Sequence, residues 1–146
     1  MKLYLDTSVY NRPFDDQTQP RIWLETLSLA LILQLIETGE ATLVNSSMLE
    51  FENSRNPFAL RREWMEHCLT LATEYQQVDE SSRERAEELE KLGISAIDAL
   101  HIACAESSNA DYFIACDDRL LKKEKQFKVK SANPVDFIQK ETGEQP

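Results

Sequence analysis

The chain has 146 residues, of which 42% are apolar and 29% are charged, a balance typical of a globular protein. We therefore expect residues 1–146 to form one domain around a single core. The formal net charge of −10 excludes a strongly basic nucleic-acid-binding protein, although a local basic patch could still contact phosphates. The most apolar region, residues 24–36, contains only five consecutive apolar residues, so we expect no membrane-spanning helix.

Three cysteines, Cys68, Cys104 and Cys116, lie among apolar neighbours and lack the short spacing of a zinc site. This pattern predicts small core residues that remain reduced. A strand-like segment follows Met1 almost at once, so we expect no secretory signal and a cytoplasmic location.

The first third of the chain predicts one strand and one long helix. Residues 2–6 (KLYLD) indicate a buried strand that ends at Asp6. After a polar loop, a helix is predicted from about Pro20 to Glu37. Its apolar side chains cover more of the circumference than one core-facing stripe needs. Burial of a second side in a homodimer and burial of the whole helix within the monomer would both explain this, and the sequence leaves both open.

The rest of the chain alternates between predicted strands and helices. Strands are predicted at residues 41–45, weakly at 75–78, at 111–116, and at the sheet edge at 127–130. Helices are predicted at 48–54, 58–74, 79–92, 94–105 and 119–124, and a last helix begins at Pro134. This alternation predicts a parallel sheet with helices on both faces.

The helix at residues 94–105 contains the charge that most needs an explanation. Apolar side chains occupy nearly every face of this helix, so its carboxylate, Asp98, is predicted to be buried. A buried charge must be paired, protonated or bound to a metal. Only His101 could pair with Asp98 within the helix, and we interpret His101 as a packing residue.

Acidic residues on three other elements are candidates to lie near Asp98. Asp6 and Asp117 each follow a predicted strand, and parallel sheets bind ligands at the carboxyl ends of their strands. In the helix after the second strand, Glu52 falls on the apolar seam when each residue turns by about 100°. Glu50 points away on the same count, so Glu52 is preferred, with Glu50 as the alternative.

Four converging carboxylates, Asp6, Glu52, Asp98 and Asp117, would need a cation. Two carboxylates about 4 Å apart repel each other by roughly 4 kcal/mol at an effective dielectric constant near 20. Ligands that are all oxygen favour Mg²⁺ or Mn²⁺ over zinc. Such an ion can activate water for attack on a phosphodiester.

Several segments resemble the ordered acidic motifs of the PIN domain family. They are LDTSV at 5–9, LEFE at 49–52, IDALHIA at 97–103, FIACDD at 113–118 and NPVDF at 133–137. PIN domains are metal-dependent nucleases that act mostly on RNA, and many bacterial and archaeal members are VapC-type toxins paired with antitoxins. The resemblance implies a three-layer α/β/α sandwich with a parallel five-stranded sheet. It also implies a Mg²⁺- or Mn²⁺-dependent endoribonuclease with RNA as substrate and an antitoxin as candidate partner.

By the same resemblance, Asp6, Asp98 and Asp117 would bind metal, and Glu52 would bind metal or position water. The chain departs from the family at Ala115, where a Thr or Ser is common, and the adjacent Asp118 remains an alternative to Asp117. This departure leaves room for a non-catalytic PIN fold that binds RNA or protein.

A basic stretch follows the fourth acidic motif. Residues 119–130 contain six basic residues and one acid. They could hold phosphates beside a metal or form an ordinary solvated face.

Overall fold

The computed structural model describes residues 1–143 as alternating strands and helices. The strands are β1 (Lys2–Leu5), β2 (Thr42–Ser46), β3 (Glu74–Gln76), β4 (Tyr112–Ile114) and β5 (Lys130–Ala132). The helices are α1 (Thr7–Asn11), α2 (Pro20–Glu37), α3 (Ser47–Ser54), α4 (Ala59–Leu69), α5 (Glu80–Lys91), α6 (Ala96–Ser107), α7 (Asp118–Leu121) and α8 (Pro134–Thr142). Short 3-10 turns occur at Arg12–Phe14 and Glu124–Gln126.

The five strands form one parallel sheet in the order β3-β2-β1-β4-β5. Leu3, Tyr4 and Leu5 in the central strand β1 are all fully buried. Because successive strand residues point to opposite faces, this burial shows that both faces of the sheet are covered. The prediction of an α/β/α sandwich with a parallel five-stranded sheet is confirmed.

Several predicted elements differ in their bounds from the structure, and two of them differ most. The edge strand predicted at 127–130 is found at Lys130–Ala132, because a 3-10 turn at Glu124–Gln126 and a bend at 128–129 precede it. The Glu124 carboxylate accepts a hydrogen bond from the backbone N–H of Ser131 at 2.6 Å, which fixes that turn against the start of the strand. The helix predicted at 58–74 ends at Leu69, and β3 begins at Glu74.

Helix α2 has one buried and one exposed apolar face. Ile22, Leu29, Ile32 and Ile36 are buried in the core. Trp23, Leu24, Leu27 and Leu31 on the other face are between 43% and 50% exposed. The monomer therefore does not cover the second face of the helix. No helix within residues 1–143 is long and apolar enough to cross a membrane.

The fully buried carboxylate of α2, Glu25, joins three parts of the chain. It accepts hydrogen bonds from Arg12 Nε at 2.8 Å, from Arg21 Nε at 3.4 Å and from the Asn133 side-chain amide. Asn133 also caps the N-terminus of α8. The carboxylate thus has partners on both oxygens and neutralising arginines, which suits a structural role.

Candidate active site

Asp6 lies where β1 ends and α1 begins, at the centre of the sheet edge. It is only 7% exposed, and its Oδ2 accepts hydrogen bonds from Ser8 N at 3.2 Å and Ser8 Oγ at 2.6 Å. Ser8 Oγ in turn accepts a hydrogen bond from Cys116 N, at the end of β4. Within residues 1–143, no group donates a hydrogen bond to Asp6 Oδ1. The carboxylate is therefore fixed through one oxygen and offers the other.

Glu52 reaches the same region from α3. Its Oε1 accepts hydrogen bonds from Thr7 Oγ1 at 2.5 Å and His101 Nε2 at 2.7 Å. No hydrogen bond from the described part of the chain reaches Oε2. Burial raises the pKa of Glu52, but the hydrogen bonds from His101 and Thr7 outweigh it and hold the pKa below its usual value. Glu52 is therefore ionised at neutral pH.

Glu50, the alternative to Glu52, points to a different part of the surface. It is exposed, and its carboxylate accepts hydrogen bonds from Asn45 Nδ2 at 3.1 Å and from the Tyr75 hydroxyl at 2.8 Å. Tyr75 lies in β3, at the outer edge of the sheet. The two glutamates thus face different surroundings, as the helical phase predicts, and only Glu52 lies beside Asp6.

His101 is a site residue that the sequence reasoning missed. The prediction that it is buried is right, since it is 0% exposed, but packing is not its only role. Besides contacting Glu52, it forms a hydrogen bond through Nδ1 with the Tyr4 hydroxyl at 2.8 Å. Burial lowers the pKa of His101, but the hydrogen bond to Glu52 and the charges of nearby acids raise it above its usual value. Its position one turn after Asp98 was the available signal.

Asp98 is only partly buried, so the prediction of a buried charge at this position is wrong. It lies in the first turn of α6, where the neighbouring Ile97 is 45% exposed because this end of the helix emerges at the sheet edge. Burial and then the charge of Asp6 raise the pKa of Asp98, and Asp117 adds a smaller effect in the same direction. The charges of Asp6 and Asp117 therefore both act on the Asp98 carboxylate.

Asp117 and Asp118 have different partners. Asp117 caps α7, and its Oδ1 accepts hydrogen bonds from Arg119 N at 2.9 Å and Leu120 N at 3.4 Å. Asp118 forms a two-point contact with the Arg21 guanidinium, at 2.6 and 2.7 Å, and this contact lowers the pKa of Asp118. Asp117 has no basic partner among the described residues, so it is the freer of the two acids.

A cleft of about 570 Å³ joins Asp98 and Asp117 to part of the predicted basic stretch. Arg119, Lys122 and Lys123 line this cleft. Lys125, Lys128 and Lys130 line a different depression beside β5. The basic stretch is therefore divided, and only its first half lies next to the acids.

The carboxylates fit a hard divalent cation. Asp6, Glu52 and His101 each offer a ligand atom within 4.8 Å of the others. His101 Nε2 must carry a proton to bind the Glu52 carboxylate, so the ring nitrogen is not free to bind metal. The available donors are carboxylate oxygens, which suit Mg²⁺ or Mn²⁺. Asp98 and Asp117 lie outside this close group, on its cleft side.

Comparisons with known proteins concern the family and the fold of the chain. The model of the PIN domain family matches residues 3–126. VapBC2 from Rickettsia felis, solved with a DNA fragment from its promoter, is 18% identical with a TM-score of 0.57, and the match covers 91% of this chain and 98% of that chain. FitAB, solved with the IR36 DNA fragment, is 19% identical with a TM-score of 0.54, covering 91% and 95%. At these identities the likeness concerns the fold. The sequence matches no curated protein.

Proposed function

Because the chain belongs to the PIN domain family, we propose that it is a metal-dependent endoribonuclease that hydrolyses phosphodiester bonds of RNA. One observation carries the proposal. Asp6, Glu52 and Asp117 are each fixed through one oxygen, and no described residue donates a hydrogen bond to the other oxygen. The open oxygens of Asp6 and Glu52 reach solvent and Asp117 is exposed, so all three carboxylates are available to a cation.

In this proposal, Asp6, Asp98 and Asp117 hold Mg²⁺ or Mn²⁺, and Glu52 either joins them or orients the attacking water. When bound, the ion lowers the pKa of water and stabilises the charge that develops on the phosphate. The chain's own contribution is to fix the carboxylates. Ser8 holds Asp6, Thr7 and His101 hold Glu52, and the first turn of α7 holds Asp117.

The cleft beside Asp98 and Asp117 is the proposed path of the substrate. Arg119 and Lys122 line it and form no ion pair with any described residue, so both cations are available for phosphates. Because the net charge of −10 repels RNA from most of the surface, we expect RNA to bind only beside Arg119 and Lys122.

We further propose an antitoxin as partner, by likeness to VapBC2 and FitAB, in which case the chain is the toxin of the pair. The exposed apolar face of α2 supports a protein partner, because contiguous exposed apolar side chains mark interaction sites. A second copy of this chain is the other candidate for that face. The buried cysteines form no disulfide, which supports a cytoplasmic location. Burial raises the pKa of each thiol to about 12, so the thiols remain protonated.

Cleavage of RNA with Mn²⁺ tests the proposal, comparing the wild type with Asp6→Asn and Asp98→Asn. We expect the wild type to cleave and each variant to lose at least about a hundredfold in rate. Full cleavage by both variants, or by the wild type in excess EDTA, would exclude the metal site.

The alternative is a non-catalytic PIN fold that binds RNA or protein. One observation favours it: Ala115 is fully buried and supplies no hydroxyl to the site. Thr7 and Ser8 supply hydroxyls from the other side. Calorimetry separates the two functions, since the alternative predicts no binding of Mn²⁺ at millimolar concentration.

A further inference from the structure

A row of three fully buried polar side chains leads from the core to Glu52. The Ser46 hydroxyl lies 2.7 Å from the Tyr4 hydroxyl, which lies 2.8 Å from His101 Nδ1. His101 Nε2 then lies 2.7 Å from Glu52 Oε1. The row draws on β2, β1, α6 and α3, so it forms only when the sheet and both helices are in place.

The carboxylate at the end of the row sets the direction of every hydrogen bond. Ionised Glu52 can only accept, so His101 Nε2 carries the proton and donates. In the neutral ring, Nδ1 then accepts, and the Tyr4 hydroxyl donates to it. Ser46 donates to Tyr4 and accepts from Leu49 N, at 3.0 Å. In this direction, each of the three buried groups has both a donor and an acceptor partner.

The row acts on one oxygen of Glu52. Both His101 and Thr7 donate to Oε1, and two donors from different elements fix the position of that atom. The second oxygen, Oε2, receives no hydrogen bond from the described residues. A carboxylate held in this way presents its second oxygen in a fixed place.

We propose that Tyr4 and His101 are positioning residues, which hold Glu52 through Oε1 and so keep Oε2 ready for the metal site. The consequence for cleavage rests on the proposed function, whereas the arrangement of protons does not. Groups that orient the residues contacting a metal typically contribute ten- to a hundredfold to metal affinity or activity.

Nuclear magnetic resonance of the imidazole nitrogens tests the arrangement in the metal-free protein. The chain has two histidines, and His67 is exposed, so His67→Gln both assigns the signals and serves as a matched control. With the pH raised until the ring is neutral, we expect a slowly exchanging proton on His101 Nε2 and none on Nδ1. A neutral ring with its proton on Nδ1 would overturn the proposal.

Calorimetric titration with Mn²⁺, followed by cleavage of a labelled single-stranded RNA, tests the positioning role. Tyr4→Phe removes one hydroxyl and keeps the ring, and we expect it to weaken Mn²⁺ binding about tenfold and to lower kcat without changing KM. His101→Gln keeps a side-chain N–H and should retain more affinity than His101→Ala, with melting curves to show that each variant folds.

Mn²⁺ affinity in Tyr4→Phe equal to that of the wild type would contradict the positioning role. If the wild type binds Mn²⁺ but does not cleave RNA, the proposed function fails. The nitrogen signals and the metal affinities still decide the inference in that case.

Discussion

Two buried carboxylates, Glu25 and Asp6, lie in opposite electrostatic surroundings. Glu25 is fully buried between two arginines and an asparagine, and both of its oxygens are hydrogen-bonded. Asp6 is almost as buried but has no basic partner among the described residues, and one of its oxygens is left open. Burial of a carboxylate is therefore not by itself a sign of function. Asp6 differs from the structural carboxylate Glu25 because no described basic residue neutralises its charge.

The largest expected effect is on RNA cleavage, and it should differ between Asp117, which has no basic partner among the described residues, and Asp118, which has one. Asp117→Asn should lower RNA cleavage about a hundredfold, because it removes a charge that has no partner in the chain. Asp118→Asn should change cleavage by no more than about twofold, because Asp118 is an exposed acid already paired with Arg21. Equal losses in both variants, measured as initial rates with Mn²⁺, would contradict the distinction between paired and unpaired acids.

The second prediction concerns the contribution of Glu25 to the stability of the fold. Glu25→Gln should lower the free energy of unfolding by about 2 kcal/mol, since it removes the fully buried charge partner of Arg12 and leaves Arg12 paired only with Asp15. Glu37→Gln, at the exposed end of the same helix, should have little effect and serves as the control. Urea unfolding measures both variants. Under conditions where it is folded, Glu25→Gln should still cleave RNA at the wild-type rate. A large loss of rate would contradict a purely structural role for Glu25.

The smallest expected effect is a gain in stability within the site. Because burial and Asp6 raise the pKa of Asp98 in the folded protein, ionisation of Asp98 opposes folding above the usual carboxyl pKa. Asp98→Asn should therefore stabilise the metal-free protein at pH 7 by about 0.5 kcal/mol, allowing for solvent screening of a partly exposed group.

This gain should disappear at pH 3, where Asp98 is protonated in both states. Melting curves in EDTA at the two pH values measure it. A variant less stable than the wild type at pH 7 would show that Asp98 is stabilised by a partner.

Much of the fold follows from local pattern. The strands that precede Asp6 and Asp117 are visible as apolar runs followed by an acid, and the direction of Glu52 follows from helical phase. The prediction that Asp98 is buried is wrong, because hydropathy within α6 does not show which end of the helix meets solvent. The bounds of β5 were missed for a similar reason, since a side chain from the preceding turn fixes its start.

The role of His101 could not be predicted from its neighbours in sequence. Its two partners, Tyr4 and Glu52, lie 97 and 49 positions away, and only the folded sheet brings them together. Glu25 is a similar case, because its asparagine partner lies 108 positions away. Local patterns predict where a side chain lies on its element, whereas its hydrogen-bond partners depend on the tertiary arrangement.

The central position of β1 has a consequence for synthesis of the protein. Asp6 leaves the ribosome more than a hundred residues before its neighbours at the end of β4. The contact between Ser8 and Cys116, for instance, spans 108 positions. Parallel strand pairs of such separation form late in folding. A chain synthesised only as far as β3 therefore lacks Asp98 and Asp117, and the four acids can converge only after β4 and Asp117 have left the ribosome.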